Sequence, residues 1–525
     1  MPSNHTLVAG IEAWAERTPE AVAVIETARQ ATYAEVRDNA RQVAGALATL
    51  GVEKGHRVTY LGKNSIEQIE LTTAAGMLGA VTVPINWRLS AREIAALIDH
   101  MDATVVVVQS VLLELARDAL AASPRVQHVV IIGDGATSTE LTWQSWRSAA
   151  TPLAPHQFAT LEDADVVAQL YTSGTSGTPK GVMLGCAGLR ATVALLDEIW
   201  QLGQDAVLMP VLPWFHVGGI GAATGALHTG GSIVAQNEVS GGSILEAIER
   251  FRVTSMVVAP VMIQGICAHP DARTADLSTL KLVSYGASPI TQTVLREFLQ
   301  LLPHTTMVQI YGMTETWGTI TLLDDAAHHD TEHPERLQSA GRPITALSMK
   351  LLDPLTREPV QPGETGEVWV KYVGNMLGYY KLPEQTAAVF TDDGYMRTND
   401  LGWQDEGGFL FLRDRVGDMI VSGGENIFPT EVEGVIASHP DVAEVAVVGV
   451  PHEKWGETPR AYVITKAGAT LEPQAVIDHA RANLAHYKCP TSVEVVESLP
   501  RNPSGKLLRR VLRVEAEAVA PSVSV

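Results

Sequence analysis

Charge is scarce in this chain: 18% of its 525 residues are charged, and only 6% are aromatic. So small a charged share beside 46% apolar residues excludes a disordered chain and indicates globular domains. Cysteine is nearly absent, and Cys186, Cys267 and Cys489 stand far apart without metal-ligand spacing. That excludes a disulfide framework and suits a reducing cytoplasm. Basic residues are in deficit, 38 Lys and Arg against 59 Asp and Glu, giving a formal net charge of −21. A duplex partner would need a basic face, so nucleic-acid binding is excluded. Long hydrophobic runs are missing as well. The opening MPSNHTLVAG carries no positive charge ahead of an apolar stretch, and Ile220 to Ala235 is broken by glycines and His228. Neither a secretion signal nor a membrane span is expected.

What is abundant is concentrated. Thr172 to Gly181 reads TSGTSGTPKG. Gly174 and Gly177 let backbone N–H groups converge, the hydroxyls of Thr172, Ser173, Thr175, Ser176 and Thr178 add donors, and Lys180 adds a positive charge. This is a phosphate cradle. It differs from the Walker loop, because no Ser or Thr follows Lys180 and the flanks VVAQLY and GVML look like two strands rather than a strand feeding a helix.

The length implies two or three domains. Tyr33 to Leu50 sets Val36, Ala40, Val43, Ala44 and Leu47 on one helical stripe; RVTYLG, Ser65 to Leu78, AVTVPI, Ser90 to His100 and ATVVVV follow in alternation. Such βαβ wiring predicts a largely parallel sheet covered by helices. A second α/β run extends from Leu189 to about Pro343, and its turns PWFHVGG, YGASP and YGMTET all follow apolar runs, where parallel sheets gather ligands. From Leu351 to about Val416 strands are short and turns dense. The fold class expected is α/β, with a large amino-terminal domain over 1–416 that includes a small β-rich part, and a mobile α+β domain over 417–525.

Four separated stretches, TSGTSGTPKG, YGMTET (Tyr311 to Thr316), RTNDLG (Arg397 to Gly402) and PSGKLLRR (Pro503 to Arg510), together resemble the adenylate-forming superfamily of acyl-CoA synthetases, peptide-synthetase adenylation domains and luciferases. The resemblance covers nearly the whole chain. It implies an ATP-dependent acyl-CoA synthetase: a carboxylate attacks the α-phosphorus of Mg·ATP, pyrophosphate leaves, and the coenzyme A thiol then displaces AMP from the acyl-adenylate. It also implies roles. Glu315 would be the magnesium ligand and Thr314 a phosphate donor, while Tyr311 and Gly312 with Gly286, Ala287 and Ser288 would form the adenine slot. Asp400 would grip the ribose hydroxyls with Arg415 beside it, and Lys506 would be the catalytic lysine delivered by the small domain. Ser422, Gly423, Gly424 and Glu425 would line the pantetheine channel, and Gly417 aligns with the pivot. The chain departs from the family at Gly185–Cys186, Asn399, Asp414 and Gly417.

His216 in PWFHVGG matches the position that borders the substrate carboxylate. No acid lies between Pro213 and Gly219 to hold a substrate ammonium, which argues against an amino acid. Trp214, Val217, Ile220, Met262, Met313 and Trp317 would give apolar walls, so a fatty, aryl or alicyclic monocarboxylic acid is expected. An enzyme that loads an acyl carrier protein is the alternative. ATP, coenzyme A and the acid are the expected small-molecule partners, and the oligomeric state is left open, a homodimer among the options.

Overall fold

The computed structural model describes residues 5–172, 179–422, 425–452, 454–501 and 507–519. The contacts divide the chain into two compact units, Met1–Ser348 with Lys371–Tyr395, and Met349–Val370 with Met396–Val525.

The first unit holds two large sheets. In the eight-stranded sheet the strands run Leu141–Thr142, His128–Ile132, Val105–Gln109, Arg57–Leu61, Val81–Pro84, Val166–Thr172, Lys180–Gly185, Gly378–Tyr379. The first six are parallel, as the alternating helix and strand patterns predict. The last two are antiparallel, because Val166–Thr172 and Lys180–Gly185 close the expected hairpin with Thr172 opposite Lys180. In the nine-stranded sheet, parallel strands from Thr306–Tyr311 to Val22–Ile25 are flanked by antiparallel edges. The carboxyl ends of Val207–Pro210, Leu282–Gly286 and Thr306–Tyr311 lead into PWFHVGG, YGASP and YGMTET.

Local chemistry sets the boundaries of these elements. The helix Tyr33–Thr49 starts where Thr32 accepts from the Glu35 amide while the Glu35 carboxylate accepts from the Thr32 amide, a reciprocal cap. Its stripe Val36, Ala40, Val43, Ala44 and Leu47 is fully buried. Ile66–Leu78 starts at Ser65, which caps the Gln68 amide, and stops at Gly79, whose φ of 70° is left-handed.

That second helix also buries charge. Glu67 meets the Arg29 guanidinium at 2.7 Å, and Glu70 accepts from Asn39 Nδ2 at 2.6 Å with Arg147 at 3.6 Å. Burial pushes the Glu70 carboxyl up to about 8, against the pull of Asn39 and Arg147. The folded chain therefore holds this proton more tightly than the unfolded one, so the contribution to stability is full below the ordinary carboxylate range and is lost as pH rises through about 8. Glu70→Gln is expected to gain on the wild type by ~1 kcal/mol or more between pH 5 and pH 8, as read by urea unfolding. A difference independent of pH would show that Glu70 keeps an ordinary pKa.

The second unit holds, but for the end residues Ser348 and Lys371, a four-stranded sheet, Ser348–Leu352, Gly366–Lys371, Met396–Gln404 and Leu410–Arg415, whose last three strands are antiparallel. It also holds a five-stranded sheet built on the long pair Val442–His452 and Gly456–Thr465, with the helices Pro429–Ala437, Pro473–Asn483 and Arg509–Val519. The β-rich residues 349–370 and 396–416, expected with the amino-terminal domain, group by contacts with the carboxyl-terminal residues. Bonds across the expected pivot explain the grouping, since Asp414 accepts from the Thr430 amide at 2.9 Å and Arg509 reaches both Asp414 and Glu433.

Candidate active site

In the first unit the hairpin brings Thr172 and Lys180 to the mouth of the eight-stranded sheet. Ser173, Gly174, Thr175, Ser176 and Gly177, expected to cradle phosphate, lie outside the described residues, as do Gly423, Gly424 and Lys506. The short strand Gly378–Tyr379 lies along the outer edge of the hairpin, with Tyr379 opposite Val182. Its ring lies 4.7 Å from Lys180 Nζ, and its hydroxyl donates to Glu315 Oε1 at 3.0 Å. Glu315 sits in the 3-10 turn Thr314–Thr316, its own carbonyl accepting from the Met376 amide at 2.7 Å. One tyrosine thus joins the lysine of the first motif to the carboxylate of the second. Sequence reading missed it: a Gly-Tyr pair in a strand of this length has no periodicity to reveal it.

Gly286 ends Leu282–Gly286, and a Cβ there would lie 2.2 Å from the Ile310 carbonyl oxygen, so the neighbouring strands approach too closely for any side chain. Ala287 follows at φ 70° and is exposed, Ser288 is half-buried, and Tyr311 ends the next strand, half-buried. Gly312 is confined likewise, 2.2 Å from the Gly318 oxygen. Next to Gly286, Tyr285 and His328 are buried, with Tyr285 Oη and His328 Nε2 at 2.9 Å and His328 Nδ1 at 2.7 Å from the Asp324 carbonyl. Donation from Nδ1 to that carbonyl leaves Nε2 as the acceptor of the tyrosine proton. This pair fixes the base of the YGASP turn.

His216 precedes the helix Val217–Thr229 as its N-cap, and its carbonyl accepts from the Gly219 and Ile220 amides. Its Nε2 is buried without a hydrogen-bond partner among the described residues, and its ring lies 4.4 Å from that of Phe215. Burial, helped by the positive charge of Arg88, lowers the imidazole to about 4, so it is neutral at pH 7. The loop is pinned by a residue that sequence reading did not single out: Asn64 Oδ1 accepts from the Trp214 amide at 2.9 Å, and the Asn64 carbonyl accepts from Asn237 Nδ2. Of the residues expected to wall the acid pocket, Trp214, Ile220 and Trp317 are buried and Val217, Met262 and Met313 half-buried. Trp317 has φ 52°, and a Cβ added at Gly188 would lie 2.5 Å from its ring. The indole therefore fills the space that a larger residue 188 would need.

In the second unit Asp400 and Arg415 stand opposite each other on neighbouring strands, joined at 3.1 Å. Asn399 adopts φ 59°, a left-handed turn that Asn tolerates where the family carries glycine. The strand beneath is held by Arg397, which donates to the fully buried Glu367 carboxylate. Ser422 is buried and pairs with Glu425 and Gly456 in the five-stranded sheet. Trp455 is exposed beside Lys454.

Comparison with known proteins accounts for these parts. Residues 11–380 match the AMP-binding enzyme family, and residues 431–506 match the AMP-binding enzyme C-terminal domain. A fatty acid–[acyl-carrier-protein] ligase of Streptomyces coeruleorubidus is 34% identical over 98% of this chain and 96% of the relative. A feruloyl-CoA synthase of an Amycolatopsis species is 34% identical over 96% and 98%. The ATP-bound structure of MatB from Rhodopseudomonas palustris is similar with a TM-score of 0.87 at 28% identity, over 98% of this chain and 99% of that one. The fold is that of an adenylate-forming enzyme, and the chain belongs to the AMP-binding enzyme family. Its activity is AMP-forming acid–CoA ligation, with ATP and coenzyme A as co-substrates. Among the described residues no helix is long and apolar enough to cross a membrane.

Proposed function

We propose that the chain activates a monocarboxylic acid with an apolar body, a fatty, aryl or alicyclic acid, as its adenylate and transfers the acyl group to coenzyme A. The observation that carries this reading is the contact of Lys180 and Glu315 with the same tyrosine, Tyr379, at the mouth of the hairpin. Both half-reactions need charge stabilisation more than covalent help from the protein. Lys180 and Thr314 would meet phosphate oxygens, and Tyr311 with Gly286, Ala287 and Ser288 would hold the adenine. Asp400 and Arg415 would take the ribose, and Lys506 would meet the reacting carboxylate and phosphate. Ser422 to Glu425 would line the path of the thiol. Mg²⁺ fits Glu315, a buried carboxylate that the Tyr379 hydroxyl orients, since magnesium takes one or two protein carboxylates beside phosphate oxygens. When bound, the ion would offset phosphate charge.

The neutral His216 would border the acid without adding a charge. Val217, Ile220, Met313 and Trp317 offer apolar surface, with no acid in PWFHVGG for a substrate ammonium. The small domain would pivot at Gly417 between the two half-reactions. Cytoplasmic residence agrees with three free cysteines.

The test is a panel of butyrate, octanoate, decanoate, benzoate, cinnamate and cyclohexanecarboxylate with ATP and coenzyme A, read by AMP formation. Absence of AMP with every member would overturn the reading. Loading of a carrier protein is the second reading, favoured by the similarity to a fatty acid–[acyl-carrier-protein] ligase. It predicts that a phosphopantetheinylated carrier accelerates AMP release more than coenzyme A does. Trp317→Gly is expected to shift acid preference by several carbons towards longer chains, since each buried methylene contributes about 0.8 kcal/mol. An unchanged profile with lower stability would make the indole core.

A further inference from the structure

Asp414 lies three residues before Gly417, and the structure gives its side chain a place. Its carboxylate is buried at the end of the strand Leu410–Arg415, just before Gly417. It accepts from the Thr430 amide at 2.9 Å and from Thr430 Oγ1 at 3.0 Å, in the first turn of the helix Pro429–Ala437. Thr430 Oγ1 also lies 2.6 Å from the Arg413 carbonyl oxygen.

The last helix, Arg509–Val519, grips the same segment from another side. Arg509 donates to Glu433 at 2.7 Å and lies 3.7 Å from Asp418 and 4.0 Å from Asp414. Arg513 donates to the Gly417 carbonyl at 2.6 Å and lies 3.3 Å from Asp418. These bonds divide by their position along the chain. Arg509 with Glu433 and with Asp418 join residues that all follow Gly417 and would travel together. Asp414 with Thr430, Arg413 with Thr430 and Asp414 with Arg509 join a residue before Gly417 to one after it, so a rotation there must break them.

We propose that Asp414 is a latch that sets the balance between the two half-reactions, acting through Thr430 and Arg509 to hold the carboxyl-terminal residues in one setting about Gly417. It is a positioning residue, and the inference rests on the proposed pivot. Neither the amide it caps nor the arginine it meets is available to a glycine, so a chain with glycine at 414 lacks the latch.

The latch also carries a pH dependence. The groups facing Asp414 are Thr430 and Glu433 from one helix, Arg509 from the other, and Asp418 beyond Arg509. Burial raises its carboxyl to about 6, with the Thr430 amide and Arg509 pulling it down and Glu433 pushing it up. A released carboxyl in water would return to about 3.9. The held setting therefore binds the proton more tightly. Holding is strongest in acid and weakens as pH rises through about 6.

The test uses the full chain and the best acid of the panel above. Adenylation is followed by pyrophosphate exchange, and thioester formation by supplying the synthetic adenylate of that acid with coenzyme A. Asp414→Gly is expected to change the ratio of the two rates about fivefold to thirtyfold, the effect of losing one helix cap. Asp414→Asn keeps an acceptor for the Thr430 amide but cannot ionise. Its ratio should stay flat from pH 5 to 7.5 while that of the wild type changes. Equal loss of both rates in Asp414→Gly, or the same pH profile in Asp414→Asn and the wild type, would overturn the latch. Should Asp414→Gly fail to fold, the Asp414→Asn profile decides alone. If the wild type gives neither exchange nor thioester with any acid, the failure belongs to the proposed function and not to the latch.

Discussion

Lys506→Ala is expected to slow acyl-adenylate formation by at least ~10²–10³ and to leave thioester formation from a supplied adenylate near the wild-type rate. The physical reason is that a transferring phosphoryl group and an attacking carboxylate are both anionic, and a single positioned cation is stronger in the transition state than in the separated reactants. On the proposed reading the lysine would be needed in only one setting of the small domain. Loss of one half-reaction alone therefore distinguishes a catalytic cation from a basic surface residue in the run GKLLRR. Pyrophosphate exchange and coenzyme A-dependent thioester yield, measured on the same preparation, give the split. Equal loss in both would show that Lys506 serves folding or general binding.

Glu315→Gln is expected to have an effect of similar size on adenylation and, in addition, to raise the magnesium concentration needed for half-maximal rate. Glutamine keeps an acceptor for the Tyr379 hydroxyl, so the turn should survive while the charge is removed. Tyr379→Phe is the companion: it keeps the ring beside Lys180 but takes a charge-assisted hydrogen bond from the carboxylate, a loss of about 1.5–3 kcal/mol if all of it is felt in the transition state. That corresponds to roughly 10- to 10²-fold. An unchanged magnesium midpoint in Glu315→Gln, together with lower stability, would make Glu315 a structural partner of Tyr379 and of the Met376 amide.

Much of the fold was legible because its signals are local. The alternation of helical stripe and apolar run from Tyr33 to Val108 gives the parallel sheet, and the capping residues Thr32, Ser65 and Ser90 mark helix starts. Two apolar flanks around TSGTSGTPKG give the hairpin, with Thr172 opposite Lys180. The grouping of 349–370 and 396–416 with the carboxyl-terminal residues has an equally specific cause. Turn density marks 351–416 as β-rich but says nothing about which neighbour it packs with. Asp414, Thr430 and Arg509, apart in sequence, make that choice.

The sequence by itself determined the class of chemistry: the glycine and hydroxyl loop, the TET turn, the acid in RTNDLG and the lysine in PSGKLLRR are contiguous motifs that together resemble the adenylate-forming superfamily, and the resemblance implies their phosphate, metal and ribose contacts. The tertiary structure alone decided how those motifs are supported. Tyr379 joins Lys180 to Glu315, Asn64 pins the loop that carries His216, and His328 underpins Tyr285. These are contacts between segments 43 to 199 residues apart, taking 285 to 328 and 180 to 379 as the extremes. Hydrophobic period and turn propensity act over one element at a time, so no local pattern encodes them. The neutrality of His216 and the raised carboxyl of Asp414 belong to the same class, because each follows from burial and from a charge that only the folded chain brings near.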